Sequence, residues 1–438
     1  MHLVDRFRKR FPPNGFARHV LTLMTGTTIA QVITVGSSPI LTRIYTPDDF
    51  GRYALLLSIV SIFATVAAGR YELAVMLPEQ DEDSMNIVAL SIAIAACTSL
   101  TLLPFVLYYN VQIAQLIGAA EISNWLNLIP LQVILTSAYQ SLNYWSNRKK
   151  QYKRLAMSRI LQSASMLLFS IGLGLTNLGL AGLIIAYVLA QSMATGLLAL
   201  QILHEEIQFV NLISITNIKK QAVKYINFPR DLTVSHFIGI VHQQIPTFLI
   251  SRLFGANSLG FFAIANRFIN LPSTLIAEAI GEVFRREATE HYNRDGRFDS
   301  ILKATVSKTF LIALPIYLIL FLFSPQIFSL VFGKQWQEAG EYASIMAVAS
   351  FFSFFITPMD KWAVIVGATR YIFLWHFSLL MSNCLLAVIF INVNLGKINL
   401  GIIYFLSANT LVRILHYLVD YTIGLKYSHK NIIIRDEG

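Results

Sequence analysis

Arg413, His416 and Asp420 fall at i, i+3 and i+7 in a run that is otherwise apolar. In an α-helix this spacing puts all three on one face, over about 10 Å at 1.5 Å per residue. An ionisable side chain inside a bilayer is costly unless a partner or a wet cavity receives it, so each is a functional candidate. Two arrangements satisfy the stripe. In one it is a cavity wall, where Arg413 meets an anionic substrate and His416 or Asp420 carries a proton. In the other it is an internal salt-bridged network that ties the helix to its neighbours.

Three more cations interrupt apolar runs: Arg70, Arg267 and Lys361. A guanidinium forks onto phosphate oxygens, so Arg70 either binds a phosphate-bearing substrate or snorkels to cytoplasmic headgroups. Glu72 lies two residues on and is expected to point elsewhere, so that the two do not pair easily. Lys361 follows Asp360, but adjacent helical residues project about 100° apart, so Asp360 need not neutralise it. With Arg413 these make four positive groups, which suit an anionic cargo. Glu278 and Glu282 are one turn apart, and two carboxylates so close raise each other's proton affinity. Arg285 and Arg286 offer Glu282 a surface salt bridge, leaving Glu278, with His416 and Asp420, as a coupling-ion candidate. His236 and His242, at i and i+6, are poorly placed to share a metal and read as packing residues. Nothing resembles a phosphate-binding glycine loop or a His/Glu zinc motif, so no catalytic residue, metal or cofactor is expected.

The elements that hold these residues are transmembrane helices. The 438 residues are 55% hydrophobic and 13% charged, with recurrent apolar runs of about 20 residues, the length that spans a bilayer. The fold class is all-α and polytopic. A soluble protein of this size could not bury so many fully apolar helices, and a β-barrel would alternate at period two. Helices are expected at 20–44, 53–77, 85–108, 124–145, 155–176, 179–203, 232–254, 261–284, 304–324, 342–366, 371–393 and 399–425. The chain also repeats. Ile40-Leu41-Thr42-Arg43-Ile44-Tyr45 with Gly51 returns as Leu249-Ile250-Ser251-Arg252-Leu253-Phe254 with Gly260, at one constant offset. Two six-helix lobes, 1–210 and 232–438, joined by a cytoplasmic linker at 211–231, follow from it, and duplicated bundles are a common transporter plan. Arg43 and Arg252 read as interfacial anchors, with Gly51 and Gly260 making the tight turns. Pro39 and Pro246 interrupt the first helix of each half.

The net charge of +10 sits almost entirely in alternate loops, which sets topology and meets anionic headgroups rather than nucleic acid. Both termini are expected in the cytoplasm. Cys97 and Cys384 lie in apolar segments and read as packing residues.

Four further stretches carry a resemblance. Ala68-Gly69-Arg70-Tyr71-Glu72-Leu73-Ala74, Tyr225-Ile226-Asn227-Phe228-Pro229-Arg230, Asn266-Arg267-Phe268-Ile269-Asn270-Leu271-Pro272 and Val331-Phe332-Gly333-Lys334-Gln335-Trp336, in that order, resemble the bacterial polysaccharide-biosynthesis transporters. That family includes O-antigen and exopolysaccharide flippases of the multidrug/oligosaccharidyl-lipid/polysaccharide (MOP) superfamily. The resemblance implies a fold like the multidrug and toxin extruders, two six-helix lobes in a V. It also implies a cargo of oligosaccharide repeat units linked through pyrophosphate to undecaprenol. The cargo would cross the bacterial inner membrane to its periplasmic face; without an ATP-binding motif the drive is expected from a proton or sodium gradient or from removal of the product on the far side, with a polysaccharide polymerase and its assembly proteins as candidate partners. Two alternatives stay open. A multidrug antiporter of the same superfamily should favour acidic groups in an aromatic cavity, and Glu278 and Asp420 keep it in view. A membrane polysaccharide polymerase would need a catalytic loop outside the membrane, for which the loops are short.

Overall fold

The structure is a computed structural model that describes residues 16–359, 362–393 and 400–428, with side chains from residue 25 onward except Thr369. Two compact units divide the chain, Met1–Ile240 and Val241–Gly438.

In the first unit the helices are α1 (Phe16–Gly36), α2 (Ser38–Ile44), α3 (Pro47–Val66), α4 (Asp81–Leu116), α5 (Ile129–Arg148), α6 (Tyr152–Gly174), α7 (Leu180–Glu205) and the short α8 (Ile215–Lys224). Helix α9 (Thr233–Ile269) leads the chain into the second unit, which continues with α10 (Glu278–Asp295), α11 (Asp299–Phe332), α12 (Gln337–Ile356), α13 (Thr369–Asn392) and α14 (Gly401–Ser428). Among the described residues, nine helical segments are long and apolar enough to cross a membrane, and one of them, Phe228–Asp295, runs for 68 residues. The protein is a multi-pass, all-α membrane protein. Several helices outrun the expected spans: α4 has 36 residues and α11 has 34, because each continues past its apolar stretch with residues that sustain a helix outside the lipid core.

The repeat is visible in the order of elements. Each half has a long helix (α4, α11), then a 3₁₀ turn (Ala120–Ile122, Lys334–Trp336), a 20-residue helix (α5, α12) and a helix pair (α6 and α7, α13 and α14). The joint between the first two helices of each half corrects the expected turn. Gly51 and Gly260 lie inside helices, and the breaks fall at Thr46 and Gly255, related by the same offset as Arg43 and Arg252. Thr46 caps α3: its hydroxyl accepts from the Asp49 amide (3.2 Å) while the Asp49 carboxylate accepts from the Thr46 amide (3.0 Å). Gly255 instead breaks α9 with φ +84° and ψ 174°, a conformation that a side chain would strain.

A second correction concerns 53–77. Helix α3 stops at Val66, and the chain turns through left-handed Gly69 (φ +60°) and Arg70 (φ +59°) into a 3₁₀ segment, Tyr71–Met76. Residues two apart diverge on an α-helix, but this segment is not one. In the tighter turn Arg70 Nη1 reaches Glu72 Oε1 at 3.1 Å and donates to the Thr65 carbonyl at 3.2 Å. Glu72 lies outside the membrane-spanning helices, and burial pushes its carboxyl above the ordinary range against the pull of Arg70.

The first unit's core at this end is built on Trp145, fully buried among Tyr71, Val75, Ile87, Leu198 and Ile202. Its indole Nε1 donates to Glu206 Oε2 (2.6 Å), and the buried Arg154 guanidinium donates to Glu206 (2.7 Å) and Glu205 (2.6 Å). Helix α8 lies against α4, with Asn217 donating to Glu82 (2.9 Å) and Tyr71 to the Ala222 carbonyl (2.8 Å). The basic stretch after α5 is engaged too: Arg148 and Lys149 both meet Asp81, at 2.9 and 2.7 Å.

In the second unit α11 and α12 pack very closely. A Cβ on Gly340 would lie 2.5 Å from Pro325 Cα and 2.6 Å from the Ser324 carbonyl oxygen, so only glycine permits the approach. Gly340→Val should cost about 1–3 kcal/mol through overpacking. A thermal unfolding midpoint in detergent that does not fall would show that this contact carries no weight.

Candidate substrate-binding site

The second unit encloses a cavity of about 490 Å³, within the roughly 300–1,000 Å³ range of small-molecule sites. Helix α9 contributes His242, Gln243, Gln244, Pro246, Thr247, Phe262 and Asn266, and Asn270 follows just past its end; α13 contributes Trp375, His376, Leu379 and Asn383; α14 contributes Leu406, Asn409, Thr410, Arg413, His416 and Tyr417; α12 adds Met346 and Ala349. Proline 246 lies on this wall and removes one backbone donor from α9.

The stripe on α14 is a cavity wall over most of its length. Arg413 and His416 line the cavity, with Asn409 one turn before them and Tyr417 beside them. Arg413 Nη2 donates to the Tyr417 hydroxyl at 3.2 Å, and the guanidinium stands 6.0 Å from that ring's centroid. His416 Nδ1 bonds to the Val412 carbonyl at 2.8 Å; because a carbonyl only accepts, Nε2 is the ring atom left to exchange a proton. The Trp375 ring packs edge-to-face on His416 at 5.4 Å.

Asp420, on the same face, does not line the cavity. It is 4% exposed and accepts from Trp362 Nε1 (3.1 Å) and the Tyr371 hydroxyl (2.7 Å), both through Oδ1. Neither the cavity nor a salt bridge among the described residues holds it. Its surroundings are an aromatic cluster in which Trp362 stacks on Tyr427.

The other sequence-derived candidates are spread out. Arg70 belongs to the first unit and pairs with Glu72. Arg267 follows Asn266 on α9 but is not a lining residue. Glu278 opens α10 and is exposed, while Glu282 pairs with Arg285. Lys361 and its neighbour Asp360 lie outside the described residues. His242 does meet another histidine, His376 of α13, with ring centroids 5.5 Å apart, although no group of three or more metal-ligating residues gathers among the described residues. Sequence reasoning missed the amides and Trp375. A signal existed: Asn266 and Asn270 are one turn apart in an apolar helix, and Asn409 extends the Arg413 stripe by one turn. Arg159, within α6, was missed as well; it donates to the Thr27 hydroxyl of α1.

Electrostatically the cavity is simple. Among its described lining residues Arg413 bears the one permanent charge, and no carboxylate faces it. Six amide side chains supply both donors and acceptors without charge.

Comparison with known proteins places this geometry. A solved structure of a multidrug resistance MATE family transporter of the MOP superfamily, in its inward-facing conformation, matches with a TM-score of 0.71 at 14% identity, covering 93% of this chain and 100% of that one. A MOP superfamily transporter from Pyrococcus furiosus, described as having a binding pocket of reverse polarity, matches at 0.64 with 15% identity, covering 94% and 95%. These likenesses establish a MATE-like fold. The succinoglycan biosynthesis transport protein ExoT of Rhizobium meliloti (strain 1021) is 25% identical over 332 residues, 74% of this chain and 63% of ExoT, so the match spans under two thirds of that relative. The polysaccharide biosynthesis protein family matches residues 40–341, more than half of the sequence, and the chain belongs to that family.

Proposed function

We propose that the protein is a flippase that moves oligosaccharide repeat units, linked through pyrophosphate to undecaprenol, from the cytoplasmic to the periplasmic face of a bacterial inner membrane. It works by ion-coupled alternating access, performs no enzymatic step, and keeps both termini in the cytoplasm. The observation that carries this reading is the cavity in the second unit: polar, set among membrane-spanning helices, and bearing one cation and no carboxylate among its described lining residues. A polar cavity at membrane depth has a cost that function must justify. Membership of the polysaccharide biosynthesis family and the likeness to ExoT support a polysaccharide-related cargo. Arg413 takes the pyrophosphate end, and His416 Nε2 is the proton-exchanging atom nearest to it along α14.

A multidrug cation antiporter is disfavoured by the same cavity, because a cationic cargo calls for carboxylates that no described lining residue provides.

The reading is tested in cells that lack the protein, by labelling spheroplasts with a membrane-impermeant sugar reagent. Intact lipid-linked units should accumulate out of the reagent's reach, and re-expression should restore labelling. Single units that still reach the outside would assign the protein to a step after translocation, such as polymerisation.

A further inference from the structure

The cavity has more recognition chemistry than a pyrophosphate requires. An anion calls for cations and backbone amides, yet the commonest polar group here is the uncharged carboxamide, carried by α9 and the residue that follows it, by α13 and by α14. Part of this set is already fixed. Asn383, 7% exposed, donates to the Leu379 carbonyl at 2.9 Å and accepts from Asn409 Nδ2 at 3.2 Å. Asn270 donates to Asn266 Oδ1 at 2.9 Å. These bonds orient the amides and leave Asn409 Oδ1, Asn266 Nδ2 and the side-chain amide of Gln244 without a partner among the described residues. The free set holds both acceptors and donors, which suits a ligand with the same mixture in every part, such as a ring bearing hydroxyls.

Trp375 supplies the apolar half of such a site. Tyr371 stacks on it at 6.1 Å with planes 27° apart, and His416 meets it edge-on, so its orientation is held from two sides. It shares a face of α13 with Leu379 and Asn383. An indole face beside oriented amides binds a flat, weakly polar C–H surface together with the hydroxyls at its rim, and a pyranose ring has both.

We infer that this cavity is a subsite for uncharged sugar rings, with Trp375 as the stacking platform, Asn409, Asn266 and Gln244 as the hydroxyl-reading groups, and Asn383 as the positioning residue that holds Asn409. The inference rests on the flippase reading and refines it. The sugar end of the cargo, and not only its pyrophosphate, is held inside the second unit, and neutral sugars fit better there than acidic ones because the described lining residues offer no second permanent cation to pair with a carboxylate.

The test uses the full chain in lipid nanodiscs, titrated with cellobiose and with N,N′-diacetylchitobiose and followed by calorimetry. Saturable binding is expected, weakened about tenfold by Trp375→Ala, which follows from the energy of an aromatic contact. Asn383→Ala should weaken it similarly, Trp375→Phe should preserve most of it, and sodium pyrophosphate should not displace the sugar. Absence of saturable binding to the unmodified protein overturns the inference. So does binding that Trp375→Ala leaves unchanged, or displacement of either disaccharide by pyrophosphate at matched concentration. The spheroplast assay separates the two proposals: its failure removes the flippase and says nothing about disaccharide binding, whereas failed titrations leave a flippase that reads its cargo elsewhere.

Discussion

Arg413→Ala is expected to abolish appearance of lipid-linked units on the outer face of spheroplasts while the protein inserts in the membrane at its usual level. The side chain carries the single permanent charge among the cavity's described lining residues, and Tyr417 holds it in place without neutralising it. A neutral partner matters here: a guanidinium already paired with a carboxylate would have to give up that bond to take up a phosphate. Arg413→Lys keeps the charge but loses the planar fork, so it should retain only part of the activity. Transport at the normal rate by a stably inserted Arg413→Ala protein would remove this residue from the cargo's path.

The largest loss of stability is expected from Arg154→Met. Arg154 and Glu206 are 3% and 8% exposed at their side chains and meet at 2.7 Å, with Trp145 donating to the same carboxylate. Removing one partner leaves a buried charge with no counter-ion, which costs about 3–5 kcal/mol. Glu205, half exposed, can remain solvated and contributes little to that loss. The added change Glu206→Gln should recover most of the stability, because the amide carries no charge and its oxygen still accepts from the Trp145 indole. The measurement is the unfolding midpoint of the two variants in detergent. Equal midpoints for Arg154→Met and the double variant would mean that the ion pair is not what holds this corner.

Much of the fold was legible because a bilayer imposes one rule that sequence obeys openly: apolar runs of spanning length become helices. The joints were less legible. Gly51 and Gly260 look like turn residues, but the breaks are made at Thr46 by hydrogen bonds and at Gly255 by conformational freedom. The Arg70–Glu72 pair was hidden by a left-handed turn that no periodicity announces. In the site, Arg413 and His416 stood out since charge in an apolar run is conspicuous. Amides are quieter, and Trp375 lies in a run where an aromatic residue is ordinary packing, so a cavity shared by four helices emerged only once the helices were assembled. Asp420 keeps to the expected face of α14, but Trp362 and Tyr371 claim it, and a spacing rule cannot foresee partners from elsewhere in the chain.

The two equivalent joints differ in how they can fail. The one at Thr46 is a reciprocal bond pair, and a change at either residue removes part of it at a cost of about 1 kcal/mol, so the helix start weakens by degrees. At Gly255 the backbone dihedrals admit hardly any residue that has a side chain, and nearly any replacement meets the full penalty at once. Copies of one ancestral corner thus carry opposite mutational grain: the first can drift through intermediates, and the second is locked to a single amino acid.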